Sequence, residues 1–276
     1  MTSVARKARM SVPSLDQCAS ESAIVSRLRA AGCVFAEDEA RMIMSAAADA
    51  AELEEMVERR VVGLPLEHVV GYAEFCGLRI EVDAEVFVPR RRTEALVRMA
   101  AELAPARAVV VDLCCGSGAL GVALAAALDE VELYAADVDP AAVRCARRNV
   151  APAGGEVYEG DLFAPLPVGL KGRVDVLLSN VPYVPTVEIE LLPAEARDYE
   201  ARVALDGGVD GLTVLRRVVA EAAEWLAPGG VLLFETSERQ ADDAVAAVGG
   251  AGLLARVATD DDLDATVIIA SRPDTT

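Results

Sequence analysis

Residues 177–185 read Leu-Leu-Ser-Asn-Val-Pro-Tyr-Val-Pro, and the middle of that run carries side chains able to do chemistry. The apolar stretch from Val174 to Leu178 predicts a strand that delivers the carboxamide of Asn180 to its end. The Asn180 side-chain oxygen is an acceptor for a substrate N–H. Pro182 has a locked φ and no N–H, so nearby backbone carbonyls can be aimed outward. Tyr183 offers a ring face for stacking. Together these suit a flat amide or amine nitrogen held in one orientation, with Asn180, Pro182 and Tyr183 as candidate catalytic residues and Asn180 to Tyr183, Val181 included, as the acceptor-binding set. A strand that simply ends in a proline turn has the same local pattern, so the weight comes from elsewhere in the chain.

That weight sits at the ends of three earlier candidate strands. Val109 to Gly121 reads as strand, glycine-rich turn and helix, and Gly116, Gly118 and Gly121 satisfy G-x-G-x-x-G, the pattern of a dinucleotide site. Asp112 separates the readings. A carboxylate just before the glycines opposes a pyrophosphate and suits a cationic ligand, such as the amino group and sulfonium of S-adenosylmethionine. Asp137 closes the second strand about 20 residues on, where a carboxylate can take both ribose hydroxyls. Asp161 and Leu162 follow the third strand, placed for an adenine amino group and ring face. Acids at three consecutive strand ends, with Asn180 at the fourth, favour an S-adenosylmethionine site over a nicotinamide one.

The elements that must position these groups alternate from Thr93 onward. Candidate strands are 108–113, 132–136, 155–158, 174–179, 230–236 and 266–270; candidate helices are 93–103, 119–128, 141–151, 211–226 and 238–251. Such alternation implies a mainly parallel sheet covered on both faces. Upstream, residues 22–63 show helical periodicity with Gly32 as a stop, residues 75–82 alternate around Gly77 as a β-hairpin, and residues 1–20 read as frayed. The expected organisation is an N-terminal helical domain over 1–71, a hairpin linker over 72–88 and a catalytic domain over 89–276.

Composition narrows the function classes. The 276 residues are 53% hydrophobic and carry 45 acidic against 26 basic side chains, a net charge of -19. A surface of that sign repels phosphate backbones and argues against bulk nucleic-acid binding; the short basic run Arg6-Lys7-Ala8-Arg9 reads as a solvated tail. The six cysteines form no C-x-x-C pair, and His68 is the one histidine, read as structural, so neither a zinc site nor a Ser-His-Asp triad is supported and no metal is expected. No apolar run is long enough to span a bilayer, and the N-terminus lacks the apolar core of a signal peptide. Unpaired thiols fit a reducing compartment; the expected location is the cytoplasm.

The chain resembles the PrmC/HemK family of protein N5-glutamine methyltransferases over almost its whole length. The resemblance is carried by residues 65–75 and 87–94, the turn from Asp112 to Gly118, residues 160–163, the Asn180–Tyr183 motif and residues 204–212. It implies a Rossmann-like, class I S-adenosylmethionine-dependent methyltransferase domain, an α/β fold with a mainly parallel seven-stranded sheet, beside a small helical N-domain that docks a protein substrate and a hairpin bridge. It also implies that Gly116, Gly118, Asp137, Leu162 and Asn180 contact S-adenosylmethionine, that S-adenosylhomocysteine is the product, and that Asn180 to Tyr183 bind the glutamine of a protein or peptide such as a release factor. Two segments depart from the family pattern. Val181 stands where the family motif N-P-P-Y has its first proline, and Cys114-Cys115 stand where the family has Gly-Thr, which is similar to a branch of the family. The competing expectations are an N-methyltransferase for a peptide or small molecule, a nucleic-acid amino-group methyltransferase, which the charge disfavours, and a non-catalytic S-adenosylmethionine-binding module.

Overall fold

A computed structural model describes residues 15–273. The described chain forms two compact units that divide between Val70 and Gly71. The first is helical: α1 (Leu15–Ala30), α2 (Ala36–Ala46), α3 (Ala50–Val61) and the short α4 (Leu66–Val70). Of the apolar positions at helical spacing, Ile24, Leu28, Ile43, Met56 and Val57 are buried, while Val25, Met42, Ala46 and Leu53 are half-buried. Asp49 caps α3 by accepting from Ala51 N and Glu52 N, both at 2.9 Å, satisfying two of the orphan donors of a helix start. A buried Arg60–Glu39 pair, 2.7 Å apart, joins α3 to α2. Residues 15–20 belong to α1, which corrects the expectation of fraying there; for residues 1–14, with the Arg6–Arg9 run, that expectation lies outside the described residues. His68 is buried, and its carbonyl accepts from Arg59 at 2.9 Å.

The second unit begins with the hairpin β1 (Tyr72–Phe75) and β2 (Leu78–Glu81), paired from Tyr72–Glu81 to Phe75–Leu78. Its two turn residues, Cys76 and Gly77, have φ of 50° and 74°, the left-handed pair that matches strand twist in a two-residue loop. Phe75 and Ile80 share a core cluster with α5 and the sheet, so the hairpin is part of this unit. The rest runs α5 (Glu94–Leu103), β3 (Arg107–Leu113), α6 (Ala119–Ala127), β4 (Glu130–Asp137), α7 (Pro140–Val150), β5 (Glu156–Glu159), β6 (Val174–Ser179), α8 (Ala194–Tyr199), α9 (Arg202–Leu205), α10 (Thr213–Trp225), β7 (Leu226–Thr236), α11 (Ala241–Gly250), β8 (Leu254–Asp260) and β9 (Ala265–Ser271).

The strands form one sheet in the order β5-β4-β3-β6-β7-β9-β8. The first five are parallel, and β9 is antiparallel to both β7 and β8. Alternate residues of the central strands feed two cores. Val109, Val111, Leu177 and Phe234 pack with residues of α10 and α11 on one face. Val110, Val176, Leu178 and Leu233 pack with α5 and α6 on the other. Burial on both faces explains why these strands read as continuous apolar runs.

The pattern reading misses α4, β8, α8 and α9. Strand β8 is an edge strand with Leu254 63% exposed, so no buried face imposes an alternation on Leu-Ala-Arg-Val-Ala-Thr-Asp. The helices α8 and α9 have six and four residues, too short for a 3.6-residue period to show. Among the described residues no helix is long and apolar enough to cross a membrane.

Candidate active site

The sheet order places β4 on one side of β3 and β6 on the other. Successive crossovers that leave in opposite directions open a crevice at the carboxyl ends of the strands. A cavity of about 410 Å³ lies there, lined among others by Gly116, Asp137, Asp161, Leu162, Asn180 and Pro182. Gly118, Asp112, Val181 and Tyr183 do not line it.

The three motif glycines divide their work. At Gly116, φ is 55° and an added Cβ would meet nothing within 4 Å, so this residue faces the open cavity. A Cβ on Gly118 would lie 2.9 Å from Val150, and one on Gly121 would lie 2.9 Å from Leu133 and 3.2 Å from Asp112. Those two positions are required for close packing of α6 against α7 and the sheet. Cys114 holds φ at 55° despite its side chain, at the position where the resemblance has a glycine; a left-handed non-glycine residue costs about 1–2 kcal/mol.

Asp112 lies beneath the cavity floor and is fully buried. Its Oδ2 accepts from Gly121 N at 2.9 Å, which ties the strand end to the first turn of α6, while its Oδ1 has no partner. Burial, offset in part by that hydrogen bond and reinforced by nearby Asp137, pushes the Asp112 carboxyl up to about 8. Asp137 reaches the cavity. Its Oδ2 accepts from Gly116 N at 2.8 Å and its Oδ1 from Asp139 N at 2.9 Å, so it shapes the glycine turn while facing the ligand space. Burial raises its pKa as well. Asp161 meets Arg217 at 2.6 Å in an exposed pair, both residues lining the cavity. Leu162 is held at φ 50° and is almost fully buried.

A second cavity, about 370 Å³, lies across the Asn180 turn and is lined by Val181, Pro182, Tyr183, Phe87, Arg90 and Arg92, among others. Asn180 and Pro182 line both cavities, so the turn is the wall between them. Asn180 Oδ1 is buried and has no hydrogen-bond partner. The side chain of Val181 is 2% exposed and belongs to the core cluster of Leu162, Leu177, Leu212 and Leu215. The position of the motif's first proline, taken here by Val181, is therefore filled by core packing.

The turn is clamped from behind by residues 205–211. Val184 N donates to Leu205 O at 3.1 Å, Gly207 N to Val184 O at 2.8 Å, and Thr186 N to Gly208 O at 2.8 Å. Thr186 Oγ1 donates to Asp206 at 2.6 Å. Gln240 Nε2 donates at 3.0 Å to both Tyr183 O and Asp210 O. A Cβ on Gly207 would lie 2.7 Å from Pro182 O, and one on Gly211, where φ is 76°, would overlap Tyr183 O and Gln240.

Two further residues of the site, Glu200 and Glu235, escape the sequence reading. Glu200 accepts from Val88 N at 3.2 Å and from Arg90 Nη2 at 2.6 and 2.7 Å. Glu235 accepts from Arg92 Nε at 2.6 Å, from Thr93 Oγ1 at 2.6 Å and from Tyr183 OH at 2.9 Å. Arg92 Nη2 also donates to Tyr183 OH. Burial and Glu235 hold the Tyr183 phenol well above its ordinary value. The available signal was Glu235 itself, a lone charge inside the apolar run Val231–Thr236. Among the described residues no group of three or more His, Cys, Asp or Glu is placed to hold a metal.

Comparisons with known proteins bear on this geometry. The profile of the "Methyltransferase small domain" matches residues 79–199. A release factor glutamine methyltransferase of Geobacter sulfurreducens is 42% identical over 189 residues, 68% of this chain and 66% of that one, so the chain spans about two thirds of that relative's length. A protein of the same name from Deinococcus radiodurans is 40% identical over 210 residues, 74% of this chain and 73% of that one. Among solved structures, a methyltransferase from Pyrococcus furiosus superposes with a TM-score of 0.54 at 17% identity, covering 71% of this chain and 90% of that chain; at that identity the match speaks for the fold alone.

Two outcomes follow from the site's construction. Gly211→Ala, which must displace the Tyr183 carbonyl and adopt a left-handed φ, is expected to cost about 1–3 kcal/mol of stability in denaturant unfolding; a loss below about 0.5 kcal/mol, the level of a neutral surface change, would refute the clamp. Asp112 supplies a pH signature. Between its unfolded value near 4 and about 8, the unfolded chain has released a proton that the folded chain keeps, so stability falls as pH rises through that window. Asp112→Asn lacks this titration, and its stability relative to the parent should rise from pH 5 to pH 8 by up to about 1.4 kcal/mol per unit. Parallel stability curves for the two proteins would show that Asp112 is ionised in the fold.

Proposed function

The chain belongs to the release factor glutamine methyltransferase family, and we propose that it transfers a methyl group from S-adenosylmethionine to the side-chain amide nitrogen of a protein glutamine. One observation carries the reading: the buried Asn180 Oδ1 lacks a partner at the wall shared by two cavities. An unsatisfied buried acceptor costs about 1–3 kcal/mol, and a ligand N–H would recover it.

The residues of the first cavity fit the methyl donor. Its volume falls in the range of small-molecule sites, Gly116 leaves the turn open, and each Asp137 oxygen keeps a lone pair beyond its backbone hydrogen bond for a ribose hydroxyl. Asp161 and Leu162 stand at the next strand end, suited to an adenine edge and face. When bound, S-adenosylmethionine supplies an electrophilic methyl group on a sulfonium, leaving S-adenosylhomocysteine as product.

The second cavity would take the acceptor. An amide nitrogen is a poor nucleophile because its lone pair is delocalised into the carbonyl. Asn180 Oδ1, with the backbone carbonyl of Val181 or Pro182, accepts the amide hydrogens, draws electron density onto nitrogen and fixes its orientation. The catalysis is by position and electrostatics. Tyr183 walls the cavity, and its hydroxyl is engaged by Glu235 and Arg92, which leaves it a neutral surface. The proton on nitrogen becomes acidic on transfer and leaves to water.

The acceptor proposed is the Gly-Gly-Gln glutamine of a peptide chain release factor, met in the cytoplasm, with the helical first unit serving to dock it. Labelled methyl from S-adenosylmethionine should enter a release factor carrying Gly-Gly-Gln. Asn180→Ala should lower turnover by about 10²–10³-fold; near-parental turnover would sink the mechanism. Asp137→Ala should weaken S-adenosylmethionine binding by about tenfold or more, the worth of hydrogen bonds to a charged group, and an unchanged affinity by titration calorimetry would remove Asp137 from the ribose site.

A further inference from the structure

Glu235 lies at the carboxyl end of β7, two residues beyond the Leu178–Leu233 pair, as Asn180 lies two residues beyond it on β6. It is 3% exposed and lines neither cavity. Its neighbours Leu232, Leu233 and Phe234 pack in the cores, so packing of the sheet does not call for a carboxylate. A buried carboxylate is costly unless paired and hydrogen-bonded. Here it takes Arg92 Nε and Tyr183 OH on one oxygen and Thr93 Oγ1 on the other. Arg92 closes the circuit by donating to the same phenol oxygen.

The three partners come from two distant parts of the chain. Arg92 and Thr93 follow Phe87, and Tyr183 ends the Asn180 turn. Phe87, Arg92 and Tyr183 all line the second cavity. Glu235 thus joins the two walls of that cavity from behind. Its companion Glu200 holds the start of the same segment through Val88 N and Arg90, leaving Glu235 as the group that reaches the Tyr183 side.

We propose that Glu235 is a positioning residue for the acceptor amide: through Tyr183 and Arg92 it sets the separation of the two walls between which the amide is held. The proposal rests on the reading of the second cavity as the acceptor site. It requires no proton transfer by Glu235 or Tyr183.

The test compares the full-length parent with Glu235→Gln, Tyr183→Phe and the double variant. Affinity for S-adenosylmethionine by calorimetry should stay within about threefold in all four, since neither residue lines the first cavity. With a Gly-Gly-Gln release factor as acceptor, Glu235→Gln should lower kcat/KM by about 10–100-fold, the loss expected when a placed group shifts by a fraction of an ångström. In the Tyr183→Phe background the same change should cost less than about threefold, because the two act as a unit. A readout independent of turnover is the phenol titration by ultraviolet absorbance, with Tyr183 identified by its loss in Tyr183→Phe. Removing the carboxylate that raises it, beside an unpaired Arg92, should let Tyr183 ionise at lower pH. An unchanged phenol titration, or additive losses in kcat/KM, would overturn the proposal. If Glu235→Gln fails to bind S-adenosylmethionine, Arg92→Lys, which keeps the charge but loses the fork, takes its place with the same expectations for kcat/KM; there Tyr183 loses a donor that favours the phenolate while Glu235 stays, so it should ionise at higher pH. If the parent does not label the release factor, the acceptor reading fails by itself, and the four proteins are compared on methyl incorporation into whole-lysate protein, where equal labelling would overturn the positioning role.

Discussion

A polar oxygen left without a partner inside a protein is unstable in place: the chain around it gains by moving until the oxygen finds a donor. Asn180 Oδ1 is such an atom, and much of the second unit can be understood as preventing that movement. Strand β6 fixes one end of the turn through parallel pairing with β3 and β7. Residues 205–211 bond to its far side, Gln240 holds the Tyr183 carbonyl, and Glu235 holds the Tyr183 hydroxyl. Val181 anchors the middle in the core. These five restraints keep the acceptor aimed at the boundary of two cavities at a cost of about 1–3 kcal/mol.

The same economy appears at the glycine turn. Asp137 orients the turn through Gly116 N and remains on the cavity wall. Asp112 stays below it and secures the first turn of α6 through Gly121 N. Two carboxylates that look equivalent in sequence are separated by burial into one that lines the cavity and one that does not. That division changes the meaning of Asp112, whose position before the glycines suggested direct contact with a cationic ligand. Its place under the floor leaves it to act on the cavity through the turn, and its raised pKa follows from the absence of water around it.

The legible part of the protein was the part with local periodicity or fixed spacing. Strands β3, β6, β7 and β9 announce themselves as apolar runs, and β4 and β5 were readable from their place in the alternation with helices; β8 was not, because it is exposed or half-buried along its length and writes no apolar pattern. The strand-end residues Asp137, Asp161, Leu162 and Asn180 were readable because each closes a recognisable strand, and the crevice gathers them on one cavity. Glu200 and Glu235 were not, because their partners Arg90 and Arg92 lie 110 and 143 positions away, and a sequence gives no distance between residues so separated.

The alternation of strands and helices, the glycine turn, the row of acids at strand ends and the Asn180–Tyr183 motif are written in the sequence, since each follows from residue types within a few positions of one another. Which side of the chain each group serves is set by packing in three dimensions. It put Asp112 beneath the floor and Asp137 on the wall, packed the Val181 side chain into the core, and set a buried carboxylate behind Tyr183. Those outcomes depend on which elements pack together and which are left facing water, and that is settled by the order of strands in the sheet, a property of the whole chain.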